Sequence, residues 1–330
     1  MCYHPLCAIY VAKGLPLKYI QKSTVESRNK LSNEAAIYRD KCGVSDAKMV
    51  EISCGKCVAC KLSKSLDWTQ RVMSEINEDS YFVTFTYNDE NLPKSSNNLP
   101  TLLNIKDFSS FLKRMRSYID YHYPGYYNPE NDVCFRFFGC GEYGVLGRPH
   151  YHFIFFNLPI RKDLKPFFIT ELGDQIYRSS VLENIWKKGY VTVAKVSAND
   201  VAYVARYTLK KQGESFNNIG VVSPWANMSR NPGIGKNFIS HNYESVYDYD
   251  KVNVRFNSKV VSIKPSKYYD KYYESINPDH LADIKLARSE RAESVLIDKL
   301  NHTDLTLDEL RMHEEDAKLN AIKILQRNLD

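Results

Sequence analysis

A glycine-punctuated segment that runs into an aromatic strand, residues 139–156, constrains the fold more than any other part of this chain. Aromatic and β-branched residues at 150–156 favour a strand, and alternate side chains of a strand share one face. His150 and His152 are therefore predicted to project together, and the intervening glycines allow a hairpin that brings Glu142 beside them. Two imidazoles and one carboxylate form an open ligand set that suits a catalytic cation. The alternative is a chance His-x-His pair, since the chain contains 8 histidines.

The composition narrows the class of protein. The 330 residues are 43% hydrophobic and 25% charged, which is typical of a globular protein of one large or two ordinary domains. No apolar run is long enough to cross a membrane and the N-terminus lacks a signal-peptide pattern, so no membrane partner is expected. The 8 cysteines are not spaced like a secreted disulfide framework, which favours a reducing cytoplasm.

The charge is distributed unevenly along the chain. The net charge is +6, but from Asp279 onward there are 12 acidic and 8 basic residues, which leaves +10 on residues 1–278. Such a basic body predicts an anionic partner, with nucleic acid as the leading candidate. The 24 tyrosines could serve as stacking platforms for single-stranded bases. The alternative is a protein with a tyrosine-rich core and surface.

A Cys-x-x-Cys-x-x-Cys motif at Cys54, Cys57 and Cys60 indicates a structural zinc site that lacks one ligand. The alternative is a group of reduced, buried cysteines at the start of a helix. The candidates for the fourth ligand are Cys2, His4, Cys7 and Cys42.

Periodicity outlines the secondary structure, with residues 1–50 predicted as short strands and loops and residues 213–265 as loops. Strands are predicted over about 81–87, 135–138, 150–156 and 190–196, and helices over about 62–76, 105–122, 181–188 and 199–211, with two charged helices after Pro278.

The helix near residue 200 carries a second candidate for chemistry. Tyr203 and Tyr207 lie one turn apart, away from the apolar stripe of that helix. No acidic residue falls between Asp200 and Glu214, so the two phenols lie among cations. A Tyr-x-x-x-Tyr spacing also arises by chance in a chain this rich in tyrosine. Combined with a basic body and an open cation site, the pair suggests phosphodiester cleavage through a covalent tyrosyl intermediate.

At these motifs the chain resembles the HUH endonucleases that initiate rolling-circle replication, and more closely the gokushovirus-type initiators of single-stranded DNA microviruses. Residues 82–87 resemble the first motif of the family, residues 148–152 its histidine motif and residues 203–207 its two-tyrosine motif. The resemblance spans roughly residues 1–240. One departure is the bulky Tyr151 between the two histidines.

The resemblance implies an α+β fold, with a central antiparallel sheet of the RRM or ferredoxin-like kind, flanking helices and a C-terminal helical extension. It implies Tyr203 and Tyr207 as nucleophiles, and Mg²⁺ or Mn²⁺ on His150, His152 and Glu142. The implied substrate is single-stranded or melted origin DNA, joined as a 5′-phosphotyrosine. The free 3′-hydroxyl would serve a host polymerase, with a host helicase, in the bacterial cytoplasm.

These observations predict three segments: a Cys-containing N-terminal segment at 1–60, an endonuclease domain at 61–275 and an acidic helical extension at 276–330. Two rival functions stay open. A plasmid initiator or transposase would use the same chemistry, whereas a non-catalytic, zinc-containing nucleic-acid-binding protein would use the tyrosines only for stacking.

Overall fold

The computed structural model describes residues 2–12, 15–93, 102–126, 133–144, 147–171, 173–207, 222–256 and 259–326, apart from the side chains of residues 206, 207, 256 and 323–326. The strands in these ranges are β1 (Leu6–Tyr10), β2 (Lys18–Lys22), β3 (Lys48–Ile52), β4 (Tyr81–Thr86), β5 (Arg136–Tyr143), β6 (Pro149–Phe156), β7 (Leu164–Ile169), β8 (Gln175–Ser179), β9 (Val191–Lys195), β10 (Trp225–Met228), β11 (Val252–Phe256) and β12 (Lys259–Ile263). The helices are α1 (Val25–Cys42), α2 (Val58–Met73), α3 (Ile105–His122), α4 (Ser180–Trp186), α5 (Ala198–Tyr207), α6 (Lys236–Tyr249), α7 (Lys267–Glu274), α8 (Pro278–Asn301) and α9 (Leu307–Gln326). None of these helices has the length and apolar character that a bilayer span requires.

The chain divides into two compact units. Unit 1 consists of Met1–Lys64 together with Lys285–Asp330, and unit 2 consists of Ser65–Ile284. Both ends of the chain therefore belong to the same unit, and helices α2 and α8 each contribute residues to both units.

Unit 1 is built on a three-stranded antiparallel sheet of order β2-β1-β3. Helix α1 packs on this sheet through Leu31 and Ala35, which are buried with Cys7 and Ile9 of β1. Helix α9 is tied to the same unit by ion pairs described below.

Helix α1 corrects the prediction that residues 1–50 form only short strands and loops. It is 18 residues long, but only Leu31 and Ala35 are buried, so its hydrophobic periodicity is too weak to reveal a helix. Local signals define its ends instead. Thr24 and Ser27 form a capping box at the N-terminus, and Gly43 ends the helix with φ near +66°.

Unit 2 contains a seven-stranded sheet of order β10-β5-β6-β4-β9-β8-β7, in which every neighbouring pair is antiparallel. Its centre follows the chain order β4-α3-β5-β6-α4-β9 with the spatial order β5-β6-β4-β9, which is a ferredoxin-like arrangement. The predicted α+β fold, with a central antiparallel sheet, flanking helices and C-terminal helices, is confirmed.

Helices cover both faces of this sheet, and β6 contributes to both. On one face, Phe153 and Phe155 pack with the apolar residues of α3 and α4. On the other face, Ile154 packs with Val72 of α2 and Val201 of α5. Because side chains alternate along a strand, the residues of β6 with even numbers face α5. The two histidines of β6 therefore lie on the α5 face.

The prediction of loops throughout residues 213–265 is wrong where the structure describes this region. From residue 222 onward it contains β10, the 14-residue helix α6, β11 and β12. Ile239, Val246 and Tyr247 of α6 are buried with Tyr269 and Tyr273 of α7. The asparagine and serine residues of α6 have low helix propensity, so tertiary packing rather than local preference stabilises this helix.

Candidate active site on the central sheet

The β5–β6 hairpin brings together the three predicted cation ligands. In its register Glu142 is paired with His150, and Cys140 with His152. Directly opposed residues of an antiparallel pair project to the same face, so all three side chains lie on the α5 face. Glu142 Oε1 lies 3.0 Å from His152 Nε2, and the two imidazole rings are nearly parallel with centroids 6.3 Å apart. The Glu142 side chain is only 7% exposed.

The neighbouring strand β4 positions His152. Thr84 Oγ1 lies 3.0 Å from His152 Nδ1. The ring of Phe82 stacks on the imidazole at 5.7 Å with an angle of 6° between the planes. One imidazole nitrogen is therefore engaged by a hydroxyl, and the ring plane is held by an aromatic face.

His150 is positioned by its own strand and by the preceding turn. Its Nδ1 donates to the carbonyl of Arg148 at 2.8 Å, so a neutral ring keeps the Nε2 lone pair available. Burial lowers the pKa of His150, which favours this neutral form. A Cβ on Gly144 would lie 2.8 Å from His150 Cε1, so the ring occupies space that only glycine leaves open.

Tyr151 lies on the opposite face of the sheet, between the two histidines in sequence. It is fully buried, and its hydroxyl lies 2.9 Å from the Tyr87 hydroxyl and accepts from the amide of Asn104. Burial raises the pKa of Tyr151 to about 12. The bulky residue in the histidine motif is thus a core tyrosine, separated from the imidazoles by the sheet.

Helix α5 brings Tyr203 to the same group of residues. Its N-terminus is stabilised by Ser197, whose hydroxyl accepts from the amide of Asp200 at 3.2 Å. The apolar stripe includes Val201 and Val204, which are completely buried against the sheet. Tyr203 was predicted to point away from that stripe, but its ring is partly buried beside the same core because the long side chain reaches back to the sheet.

Tyr203 contacts two of the three predicted ligands. Its hydroxyl donates a short hydrogen bond to Glu142 Oε1. Its ring meets the edge of His152, with centroids 5.5 Å apart and planes at 87°. A phenol, an imidazole and a carboxylate therefore form one connected group. Tyr207 is the last residue of α5, and its side chain lies outside the described part of the structure.

Sequence reasoning did not identify the residues that support this group, namely Thr84, Phe82 and Gly144. The alternation of β4 placed Thr84 on a polar face, but only the β4–β6 register, which pairs it with His152, shows its role. Gly144 was recognised as a turn residue rather than as space for an imidazole.

The cysteine motif forms a second cluster, within unit 1. The sulfur atoms of Cys2, Cys54, Cys57 and Cys60 all lie within 4.8 Å of one another and could hold a metal ion. The other candidates for a fourth ligand lie elsewhere: Cys7 is in the core of unit 1, Cys42 is exposed, and His4 contacts Glu315 at 2.5 Å.

Comparisons with known proteins agree on the family. Residues 80–212, which include all five predicted site residues of unit 2, match the family model that describes replication-associated protein ORF2. The chain is 28% identical over 335 residues to replication-associated protein ORF2 of Spiroplasma virus 4, covering 99% of this chain and 98% of that protein. It is 29% identical over 299 residues to replication-associated protein VP4 of Bdellovibrio phage phiMH2K, covering 88% and 84%.

A shorter match, 31% identical over 166 residues, links 48% of this chain to 38% of replication-associated protein ORF4 of Chlamydia phage 1. No solved structure matches the chain. The family match and the near full-length relatives show that the chain belongs to the ORF2 family of phage replication-associated proteins, as a replication initiator of the microvirus type.

Proposed function

We propose that this chain is a metal-dependent endonuclease and strand transferase that nicks single-stranded or melted origin DNA to start rolling-circle replication. The family supplies the coarser part of this conclusion, a role in the initiation of phage replication. One observation carries the chemistry: the Tyr203 phenol and His152 both contact Glu142. A nucleophile thus stands beside a candidate cation site.

The donor atoms of His150, His152 and Glu142 fit Mg²⁺ or Mn²⁺. The Nδ1 atom of each imidazole is engaged, by the Arg148 carbonyl and by Thr84, which leaves the Nε2 atoms for coordination. Glu142 adds a buried carboxylate oxygen, the ligand type that these hard cations prefer. Such an ion, when bound, withdraws electron density from the scissile phosphate and from the departing oxygen.

Tyr203 is the proposed nucleophile of the first step. Its oxygen attacks the phosphorus of the scissile phosphodiester, the bond from phosphorus to the 3′ oxygen breaks, and that oxygen leaves as a hydroxyl after gaining a proton. The products are a 5′-phosphotyrosine and a free 3′-hydroxyl. The phenol already donates to Glu142, so a carboxylate is in place for the departing proton. Attack by a 3′-hydroxyl on the phosphotyrosine reverses the step and joins the strands.

Tyr207 is the proposed second nucleophile, one helical turn after Tyr203. Two phenols allow one to hold the parental strand while the other cuts the regenerated origin. We expect the free 3′-hydroxyl to prime a host polymerase, with a host helicase separating the strands, in the bacterial cytoplasm.

The cluster of four thiols favours a second candidate function, a non-catalytic zinc-containing protein that binds nucleic acid. In that case the tyrosines would only stack on bases. A plasmid initiator or a transposase would share the proposed chemistry, but the relatives are phage proteins.

Formation of a covalent adduct separates these functions. The full chain is incubated with Mn²⁺ and labelled single-stranded oligonucleotides that tile the viral genome encoding it, and adducts that survive denaturation are counted. We expect one oligonucleotide to give an adduct with the unaltered chain and none with the double variant Tyr203→Phe, Tyr207→Phe. Tyr249→Phe, at an exposed tyrosine of α6, is the matched control. A wild-type chain that binds DNA but forms no adduct contradicts the proposal.

A further inference from the structure

We propose that unit 1 contains a structural zinc site in which the thiolates of Cys2, Cys54, Cys57 and Cys60 bind one Zn²⁺. This inference is independent of the proposed nicking reaction. The cysteine motif by itself supplies three ligands, and the fold adds Cys2 from the N-terminus of the chain, 52 residues before Cys54. The site would therefore join the N-terminal segment to the connection between β3 and α2.

The distances between the sulfur atoms match those around a single tetrahedral ion. Cys2 Sγ lies 3.7 Å from Cys57 Sγ, and Cys54 Sγ lies 4.0 Å from Cys60 Sγ. Four sulfurs that each lie about 2.3 Å from a central zinc would be separated by about 3.8 Å. A disulfide requires about 2.05 Å, and all four cysteines are free. The cluster is also too small for a multi-iron centre, whose cysteines surround several metal atoms.

Backbone amides point at the sulfur atoms as they do around a thiolate. The amide of Cys54 donates to Cys2 Sγ at 3.3 Å, and the amides of Lys56 and Cys57 donate to Cys54 Sγ at 3.4 and 3.3 Å. Gly55 has φ near +72°, a conformation that glycine adopts without strain and that allows this tight turn. Outer hydrogen bonds of this kind orient metal ligands and stabilise their charge.

The acidity of the thiols is consistent with a shared cation. Burial raises the pKa of Cys57, but hydrogen bonds from the backbone of Cys60 and Tyr3 and from neighbouring thiols outweigh it and bring the value to about 6. Burial raises the pKa of Cys2 to about 12 and also raises that of Cys60. Without a metal, the group therefore resists full ionisation, whereas a divalent cation would neutralise the charge and permit all four thiolates.

The test measures metal content and thiolate coordination in the full chain, purified without a metal-binding tag. We expect about one zinc per chain by mass spectrometry of the metals. After exchange with Co²⁺, we expect the sulfur-to-cobalt charge-transfer absorption of a four-thiolate site.

Three variants make the assignment specific. Cys2→Ser should weaken zinc binding by roughly tenfold or more, because loss of a ligand costs at least as much as loss of an outer hydrogen bond. Cys2→His should restore binding, with a weaker charge-transfer band. Cys42→Ser, at an exposed cysteine outside the cluster, should behave like the wild type.

Each contrary result overturns a defined part of the inference. A wild-type chain that holds neither zinc nor cobalt refutes the metal site, and a chain that holds only iron refutes zinc. If Cys2→Ser binds zinc as tightly as Cys42→Ser, then Cys2 is not a ligand. Because the readouts are metal content and absorption, failure of the nicking reaction leaves these outcomes unaffected.

Discussion

The carboxylate of Glu142 accepts a hydrogen bond from the phenol of Tyr203, although 61 residues separate the two in the sequence. Glu142 is on β5, whose pairing with β6 also brings it to His152, and Tyr203 is on the helix that covers this face. The contact links the candidate nucleophile to the candidate cation ligands, and the following predictions test how this group and its surroundings work.

We expect Tyr203→Phe to reduce first-round adduct formation by more than about a thousandfold, because the attacking oxygen is lost while the ring is kept. Tyr207→Phe is expected to leave a first cleavage but to impair the second cut after one round. Gel assays of adduct and of rejoined circular strands distinguish the two steps. If the single Tyr203→Phe variant cuts normally and Tyr207→Phe does not, the order of the nucleophiles is reversed.

Thr84→Val is expected to weaken Mn²⁺ binding by about 10- to 100-fold, because it removes the hydroxyl beside His152 Nδ1 with little change in volume. The measurement is the Mn²⁺ affinity by electron paramagnetic resonance, together with the Mn²⁺ concentration that half-saturates adduct formation. Thr86→Val is the matched control, since this hydroxyl of the same strand donates to the carbonyl of Tyr190 instead. Equal affinities for the two variants would contradict the role of Thr84.

Gly144→Ala should impair function while sparing the fold. Its new Cβ would lie 2.8 Å from His150 Cε1 and displace the ring, for which we expect a loss of about 100-fold in the rate of adduct formation. Gly139→Ala is the contrasting variant, because its Cβ would overlap the buried Phe153 ring and cost about 1–3 kcal/mol of stability. Thermal denaturation and adduct assays on both variants separate the two effects. Normal cleavage by Gly144→Ala would argue against His150 as a ligand.

A cavity beside the β5–β10 pair offers a test of DNA binding away from the candidate active site. It is lined by Arg116 and Arg230, among other polar residues. We expect replacement of either arginine by alanine to weaken single-strand binding and to reduce the slope of log affinity against log salt by about 0.7 for each phosphate that the variant no longer binds. Arg255→Ala, at an exposed arginine of β11, is the control. An unchanged salt slope would exclude phosphate binding in this cavity.

Glu51 of β3 should make the stability of unit 1 depend on pH. Burial raises the pKa of this carboxyl, but hydrogen bonds from Arg311 and Ser23 outweigh it and hold the pKa below the usual 4.5. Stability from the pair is therefore present above pH 4.5 and is lost as the pH falls through the lowered value. Arg311 of α9 is 5% exposed and donates to both carboxylate oxygens of Glu51, at 3.2 and 2.5 Å.

At neutral pH we expect Glu51→Gln to destabilise unit 1 by about 1–3 kcal/mol, because a buried guanidinium loses its charged partner. The difference from the wild type should shrink below pH 4.5. Hydrogen exchange at the amides of β3 measures this locally, which matters because a chain with two units need not unfold in one step. A difference that stays constant with pH would show that Glu51 is not the titrating group.

Short-range patterns located much of the candidate site before any coordinates were considered. Alternation along β6 placed His150 and His152 on one face, and the apolar stripe of α5 was recognised from Val201 and Val204. The same reasoning failed for α1 and α6. In α1 only two side chains are buried, and in α6 the helix formers are few, so neither helix has a strong periodic signal.

The sequence alone determined which side chains share a strand or helix face, because that depends on backbone geometry within a few residues. Only the tertiary structure decided that Glu142 lies opposite His150, that Thr84 meets His152 and that Cys2 joins the Cys54 group. These contacts join residues between 8 and about 70 positions apart. They depend on strand register and on the burial that stabilises long loops, which no local pattern encodes.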